Sequence, residues 1–433
     1  MATQAEPVLT GADAQAIIDP VNYVDWDSLL DRFDRLRSET PVVRVVNDEI
    51  HDPFWLVTRY DDVMRISKDN RLFLNSPRSV TFSDKNSGAF VKSITGGDPN
   101  LGRSLVALDA PTHPKYRRLT QDWFMPKNIR QMEDEIRALA KTTVDRLVDA
   151  GGEADFVPLV SAPYPLHVVM QILGVPEADE QRMLFLTQQM FGGQDEDLNK
   201  SGMADMTPEQ IMQLVVGAVA DFEAYFAKLT QEKRANPTDD VASVIANAKV
   251  DGEHLSDRDM AGYYIILAAA GHDTTSASTA GAMMALARDP EQFARLKADR
   301  DLLPGIVEEA IRWTTPVQHF MRTAAEDTEL GGQRIAKDDW LMISYIAANH
   351  DPDVFPEPRK FDASRSPNRH IGADGNEDPV QRAARPDRDA GTGRGSGPRQ
   401  VDLCRRAETP ADPLQSIKMN GEADLVIQYK RLK

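Results

Sequence analysis

Residues 270–275 (AGHDTT) place an acid beside hydroxyl groups within a long apolar stretch of the chain. The apolar residues around them recur at helical spacing, which predicts a central helix over Asp257–Arg288. Glycine and threonine lower helix propensity, so a kink that opens a groove is predicted there. A buried acid next to a hydroxyl can relay protons to a bound intermediate, which makes Asp273 and Thr274 the candidate catalytic residues. Asp-Thr-Thr is also a good helix N-cap sequence, so a helix start is an open alternative.

Glu309 and Arg312 lie three residues apart in a predicted helix, so their side chains share one face and can pair. Most pairs of this kind are solvated surface contacts with little effect on stability. This pair lies two helices downstream of AGHDTT and is followed by Trp313 and by residues 320–322 (FMR). The order of these features carries more information than the pair itself.

A basic island, defined by residues 113–118 (HPKYRR), Lys127 and Arg130, interrupts a chain whose net charge is −18. Such an island could bind anionic groups or an acidic protein, and an ordinary solvated helix face is the alternative. The overall negative charge argues against a nucleic-acid partner, because phosphate binding needs a clustered cationic surface.

A mainly α chain with small β-sheets is predicted from the apolar periodicity. Besides the central helix, helices are predicted over residues 134–149, 165–173, 208–232, 239–249, 290–298 and 304–314. Short strands are predicted over residues 42–46, 54–58, 328–330 and 340–344. No internal repeat and no interdomain linker is found before residue 372, so residues 1–433 are predicted to form a single large domain.

The composition, with 41% apolar and 27% charged residues, is typical of a soluble globular enzyme. Residues 1–17 lack a signal-peptide pattern, and no run approaches the roughly 18 apolar residues of a membrane span. A cytoplasmic protein without a membrane partner is therefore expected. Cys404 is the only cysteine, which excludes an intramolecular disulfide and any metal site built from several cysteines.

Taken in order, these motifs resemble the cytochrome P-450 superfamily, and the resemblance covers nearly the whole chain outside residues 373–413. It implies the P-450 fold, bound haem b, dioxygen, and electrons from an acidic ferredoxin with its reductase. AGHDTT matches the oxygen-activating helix, so Asp273 and Thr274 would deliver protons. Residues 309–312 (EAIR) match the family's Glu-x-x-Arg, and Arg365 in FDASR would complete that charge network.

The resemblance also assigns residues to the cofactor. His113, Arg117 and Arg322 match positions that bind the haem propionates, where charge-assisted hydrogen bonds form. His370, in the segment PNRHIG, is likewise expected to bind the cofactor. Within the superfamily, several segments are most similar to the bacterial enzyme that hydroxylates terpineol, which suggests a monoterpenoid or another small apolar substrate. Residues 75–103, where the family's substrate loop lies, are too irregular to predict a pocket.

The family pattern breaks after residue 372. PNRHIG should lead into a glycine-rich loop whose cysteine thiolate binds the haem iron. Here ADGNEDPVQR follows, Val380 occupies the cysteine position, and valine has no ligand atom. Cys404 lies well beyond this position, in VDLCRRAET, without surrounding glycines, so the metal ligand is unknown.

Residues 373–413 are rich in Arg, Asp, Gly and Pro and have too few large apolar residues to offset their ordering entropy. From Leu414 the chain again resembles the family's terminal hairpin, with Asn420-Gly421 at its turn. A pair of compensating frame changes would explain both facts: one permissible back-translation of residues 380–392, read one base later, gives CSGQHARIEMRAL, similar to the family's Cys-x-Gly helix. The rival hypothesis is a degenerate, non-catalytic relative that binds a small apolar ligand or a protein partner.

Overall fold

The computed structural model describes residues 6–47, 49–151, 153–191 and 207–365. Helices account for most of these residues. They are α1 (Gly11–Ile18), α2 (Trp26–Glu39), α3 (Tyr60–Lys68), α4 (Lys85–Thr95), α5 (Thr112–Gln121), α6 (Pro126–Gln131), α7 (Glu133–Asp149), α8 (Pro163–Leu173), α9 (Glu180–Phe191), α10 (Pro208–Ala235), α11 (Val241–Asn247), α12 (Asp257–Arg288), α13 (Pro290–Ala298), α14 (Leu303–Thr314) and α15 (Tyr345–Asn349).

The strands are short. They are β1 (Val8–Leu9), β2 (Val42–Val45), β3 (Phe54–Val57), β4 (Phe73–Leu74), β5 (Lys249–Val250), β6 (Glu253–His254), β7 (His319–Ala324), β8 (Thr328–Leu330), β9 (Gln333–Ile335) and β10 (Trp340–Ser344). Six of them form a mixed sheet in the order β1-β2-β3-β10-β7-β4, and β5-β6 and β8-β9 are separate two-stranded ribbons.

Both faces of the six-stranded sheet are covered, which explains why its central strands, β3 and β10, are apolar at every position except Ser344. Phe54, Leu56 and Met342 pack with α2 residues on one face, and Trp55 and Ile343 pack with α3 residues on the other. A strand buried on both faces shows no alternation of apolar and polar residues. Strand β7, which carries Arg322, mixes polar and apolar residues without alternation, and sequence patterning did not predict it.

The helical body is built around α12, whose 32 residues span about 48 Å at 1.5 Å per residue. Helices α8, α10, α11 and α14 pack against it, and its first half is buried on nearly all sides. Small residues bring the helices together: a Cβ atom on Gly281 would overlap the Thr314 side chain of α14. The central position predicted for this helix is therefore confirmed.

The predicted helices and strands all lie on observed elements of the same kind, and the bounds of α12, α13, β8 and β10 agree with the prediction. The helical pattern continues through AGHDTT, so the helix-start alternative is wrong, and no break in the helix supports the predicted kink. Residues 75–103 contain α4, which begins at an Asp84 N-cap and ends at Gly96 in the left-handed region, so this segment is more regular than expected.

No helix within the described ranges is both long and apolar enough to cross a membrane. The predicted terminal hairpin from Leu414 lies outside the described residues. A single domain over residues 1–433 remains a prediction.

Candidate active site

Glu309, Arg312 and Arg365 form a buried network of charges. Arg312 donates from Nε to Oε2 of Glu309 at 2.7 Å and from Nη2 to Oε1 at 2.8 Å. Nε of Arg365 donates to the same Oε1 at 3.1 Å. Glu309 and Arg312 are 3% and 1% exposed, so these charges must be compensated within the protein. The predicted network is confirmed, and it is not a surface contact.

The network also holds the chain between α15 and residue 365. Nη1 of Arg312 donates to the carbonyl oxygens of Asn349 and Pro358 at 2.7 and 2.8 Å. Oε1 of Glu309 accepts the backbone N–H of Asp362 at 3.0 Å. Helix α14 therefore fixes the segment that precedes PNRHIG.

AGHDTT lies in the interior of α12. The Thr274 hydroxyl donates to the carbonyl of Ala270 at 2.6 Å, a bond to the preceding turn that keeps the hydroxyl on the helix surface. Oδ1 of Asp273 lies 2.9 Å from Nδ1 of His272. The Asp273 side chain is 48% exposed, so the predicted burial of this acid is wrong for the described chain. The physical reason is that Val157–Ser161 and Ala162 cover the side of α12 that carries His272, whereas the adjacent Asp273 lies on another side of the helix.

His113 and Arg117 lie one turn apart on α5. Burial lowers the pKa of His113, and the nearby Arg117 charge lowers it further, against the opposing effect of Asp109. Arg117 is half-buried, and none of the acidic side chains in the described ranges pairs with it. The two residues thus share one helix face, as the resemblance implied.

Arg322 lies on β7 and is 5% exposed. Its Nη1 donates to the carbonyl of Met321 at 2.8 Å, and its side chain lies beside the Tyr345 hydroxyl, whose pKa is raised by burial. No acidic side chain within the described part of the chain forms an ion pair with Arg322. A guanidinium buried without a carboxylate is costly unless an anion is supplied.

Asp109 connects helix α5, which carries His113 and Arg117, to the strands around Arg322. Its carboxylate accepts the backbone N–H groups of Asn75 and Ser76 at 2.9 and 2.7 Å, and also the Ser76 hydroxyl at 2.7 Å. Strand β4 ends just before Asn75 and pairs with β7, where Leu74 is opposite Thr323. The backbone of His113 in turn donates to the carbonyl of Asp109 at 2.9 Å. Asp109 was not predicted as a site residue, because an acidic residue before a helix is usually interpreted as part of a turn.

These side chains fit the carboxylates of a haem. Arg117 and Arg322 are charged donors without an ion pair among the described residues, and His113 can add a further N–H donor, as two propionates require. His370, Val380 and Cys404 lie outside the described residues, so no axial ligand is found in the ranges that the structure describes. No cluster of three His, Cys, Asp or Glu side chains suited to a metal ion is present there either.

The basic island is less cationic than its composition suggests. Lys115 on α5 forms an ion pair with Asp251, in the turn between β5 and β6, so its charge is compensated. Arg118 and Lys127 are exposed, and neither pairs with an acid among the described residues. The exposed cationic surface expected from Lys115, Arg118 and Lys127 is therefore reduced to the last two residues.

A cavity of about 730 Å³ lies between α4, α10 and the first turns of α12. Its walls include Ile94, Phe226 and Tyr264, and the rings of Phe226 and Tyr264 stack at 4.6 Å. Tyr264 precedes Thr274 by ten residues, which is about 15 Å along a helix axis. A molecule held at Tyr264 is therefore too distant to contact Thr274.

The family model described as "Cytochrome P-450" matches residues 42–374 of this chain. Cytochrome P-450-terp of a Pseudomonas species is 44% identical over 83% of this chain and 84% of its own. Linalool 8-monooxygenase of Pseudomonas putida is 31% identical over 79% of this chain and 81% of its own. The crystal structure of CYP108D1 from Novosphingobium aromaticivorans is 61% identical, with a TM-score of 0.79 over 87% of this chain and 88% of that one.

The fold, the buried network around Glu309 and the AGHDTT motif of α12 together define a haem-dependent monooxygenase. The chain belongs to the cytochrome P-450 family. Members of this family are haem-thiolate enzymes that use haem b, dioxygen and redox partners.

The substitution Glu309→Gln should lower the free energy of unfolding by about 3–5 kcal/mol, because it leaves two buried guanidinium groups without a carboxylate. The midpoint of urea unfolding, followed by far-UV circular dichroism, measures this loss. Glu329→Gln is the control: Glu329 is exposed on β8, and a change within about 0.5 kcal/mol is expected. Equal effects of the two substitutions would contradict the role of the network.

The substitution Asp109→Asn should cost about 1–3 kcal/mol of stability, because an amide cannot accept the hydrogen bonds of both Asn75 and Ser76. The same unfolding measurement applies. Asp122→Asn is the matched control on the same stretch of chain, since Asp122 is exposed. If both variants unfold like the unmodified protein, Asp109 does not fix the approach of α5 to β4.

Proposed function

We propose that this cytochrome P-450 hydroxylates a small apolar substrate, a monoterpenoid, with dioxygen and electrons from a ferredoxin. The observation that carries the reaction type is the acid and alcohol of AGHDTT in the centre of α12, within a fold shared with monooxygenases. The substrate class is supported by the named activity of linalool 8-monooxygenase. A location in the cytoplasm remains a prediction.

In this proposal His113, Arg117 and Arg322 hold the haem propionates, and His370 is a further cofactor contact outside the described residues. Bound haem supplies the iron at which dioxygen is activated. Asp273 and Thr274 supply protons to the reacting oxygen, since a carboxyl and a hydroxyl on adjacent residues can pass a proton without moving the backbone. The exposure of Asp273 supports exchange of that proton with water.

Residues 373–413 depart from the family pattern at the place where the cysteine that binds the haem iron is expected. The family match ends at residue 374, close to the end of PNRHIG, where the sequence pattern breaks. This supports the hypothesis that residues 373–413 replace the haem-ligand loop and the following helix of a single P-450 domain. Compensating frame changes remain the favoured explanation, and the nucleotide sequence tests it directly: absence of an alternative frame would refute it.

A second function is favoured by one specific observation, the valine at position 380. If the polypeptide has this residue, thiolate catalysis lacks its ligand. The protein would then be a non-catalytic relative that binds a small apolar molecule or a partner protein with the same helical body.

The absorption spectrum of the reduced protein with carbon monoxide distinguishes the two functions, because the Soret position reports a thiolate ligand. Three proteins should be compared: the chain as written, its Cys404→Ser variant, and a chimera that carries the segment of the Novosphingobium aromaticivorans relative in place of residues 373–413. We expect the thiolate-type band and linalool hydroxylation from the chimera alone.

Each other outcome has a definite meaning. A thiolate-type band in the chain as written that disappears in Cys404→Ser would identify Cys404 as the ligand and refute the frame-change hypothesis. A chimera that binds haem through a thiolate but hydroxylates neither linalool nor another monoterpenoid would refute the proposed substrate class.

Ferredoxin binding is proposed at Arg118 and Lys127, whose charges are exposed near α5. Charge pairing with an acidic partner mainly raises the association rate. Arg118→Glu together with Lys127→Glu should slow reduction of the haem-loaded chimera by an acidic two-iron ferredoxin at least tenfold at low salt, measured by stopped flow. Arg71→Glu, at an exposed position outside the island, should leave the rate unchanged. Unchanged reduction in the double variant would refute this docking site.

A further inference from the structure

His272 is a buried side chain in the middle of α12, only 3% exposed. Its Nε2 lies 3.1 Å from the carbonyl oxygen of Ala162. A carbonyl oxygen can only accept a hydrogen bond, so Nε2 must carry a proton. In the neutral ring this tautomer leaves a lone pair on Nδ1.

Nδ1 faces a second acceptor. It lies 2.9 Å from Oδ1 of Asp273, within ion-pair distance, and this buried nitrogen has no hydrogen bond to any of the described residues. A lone pair and an ionised carboxylate oxygen repel each other at this distance, whereas a proton between them makes the contact attractive. The contact therefore requires one more proton than a neutral histidine and an ionised aspartate have together.

The surroundings provide no other charge for His272. The turn Val157–Ser161 and Ala162, which lie against this part of α12, contain no charged residue. Two titratable groups follow at the start of α8. Burial raises the pKa of Tyr164, and Nδ1 of His167 is already 2.8 Å from Oε1 of Glu180. Asp273 is thus the one acid within ion-pair distance of His272 in the described ranges.

We propose that His272 and Asp273 share one proton at neutral pH, held on Nδ1 of an imidazolium beside the Asp273 carboxylate. The biological role rests on the proposed function of Asp273, although the shared proton itself does not. Asp273 gives the proton toward Thr274 and the reacting oxygen, and the pair then holds one proton less. The half-exposed carboxylate takes the replacement from water. His272 is the proton partner of Asp273, not a residue that contacts substrate.

Nitrogen-15 NMR of the histidine-labelled full-length chain at pH 7 tests the shared proton without substrate or turnover. The His272 signals are assigned by their loss in His272→Gln. We expect Nε2 to be protonated, and the Nδ1 signal to be shifted toward the protonated position in the unmodified chain. In Asp273→Ala it should return to the position of an unprotonated nitrogen.

The His167–Glu180 pair is a matched control on the neighbouring helix. Glu180→Gln should move the His167 signals and leave those of His272 unchanged. Two results would overturn the proposal. One is an unprotonated Nδ1 of His272 both with and without Asp273. The other is a proton on Nδ1 with Nε2 unprotonated, which would make His272 an ordinary neutral donor to an ionised aspartate.

Two conservative variants separate proton sharing from a structural role. His272→Gln can still donate to the carbonyl of Ala162 but has no group in place of Nδ1, whereas His272→Asn can reach Asp273 but not Ala162. Neither amide can hold the shared proton, so in the haem-loaded chimera both variants should show a larger solvent deuterium isotope effect on hydroxylation than unmodified His272. An increase in the asparagine variant alone would indicate only a structural role of the bond to Ala162. Unchanged isotope effects in both variants, with the expected NMR result, would refute the role in catalysis and leave the shared proton intact.

Discussion

The burial of Glu309 and Arg312 is the constraint on which the surroundings of the site depend. Removing two opposite charges from water is favourable only when every donor and acceptor is satisfied, and this dictates the path of the chain between α15 and residue 365. The carbonyls of Asn349 and Pro358 and the amide of Asp362 point toward α14 because the charged groups need them. A segment with little regular secondary structure is thereby given one conformation.

A second set of contacts positions the residues that we propose bind the haem propionates. Arg322 belongs to the sheet and His113 to the helical body, and Asp109 connects these two parts through the residues after β4. Helix α12 crosses the centre of the molecule and presents Asp273 and Thr274. The residues proposed as cofactor contacts and those proposed as proton donors thus lie on elements that are positioned independently, by charge in one case and by apolar packing in the other.

Much of this could be predicted from the sequence. Helices with an apolar stripe and clear caps were predicted well, because the spacing of apolar residues is a property of the local sequence. The Glu309 network was predicted from the order of the motifs along the chain. The environment of single side chains was predicted less well. Lys115 was expected to be an exposed cation, but Asp251, 136 residues away, compensates it. Asp273 was expected to be buried, whereas His272 takes the buried position. Strand β7 has no alternating pattern of polar and apolar residues. Lys115 and β7 depend on partners that are distant in sequence, and His272 is buried by Ala162, which is 110 residues away.

Arg365 ends the part of the chain that the network fixes, and this has a consequence for engineering the ligand site. Val380 follows Arg365 by fifteen positions, and at about 3.3–3.6 Å per residue a fully extended chain of that length could reach about 50 Å. The attachment at Arg365 alone therefore does not fix where a ligand atom lies relative to the haem. The thiolate must be positioned by the folding of its own loop. Exchange of Val380 for cysteine would return the ligand atom without the geometry, and the smallest unit that can be transplanted usefully is the loop together with its helix.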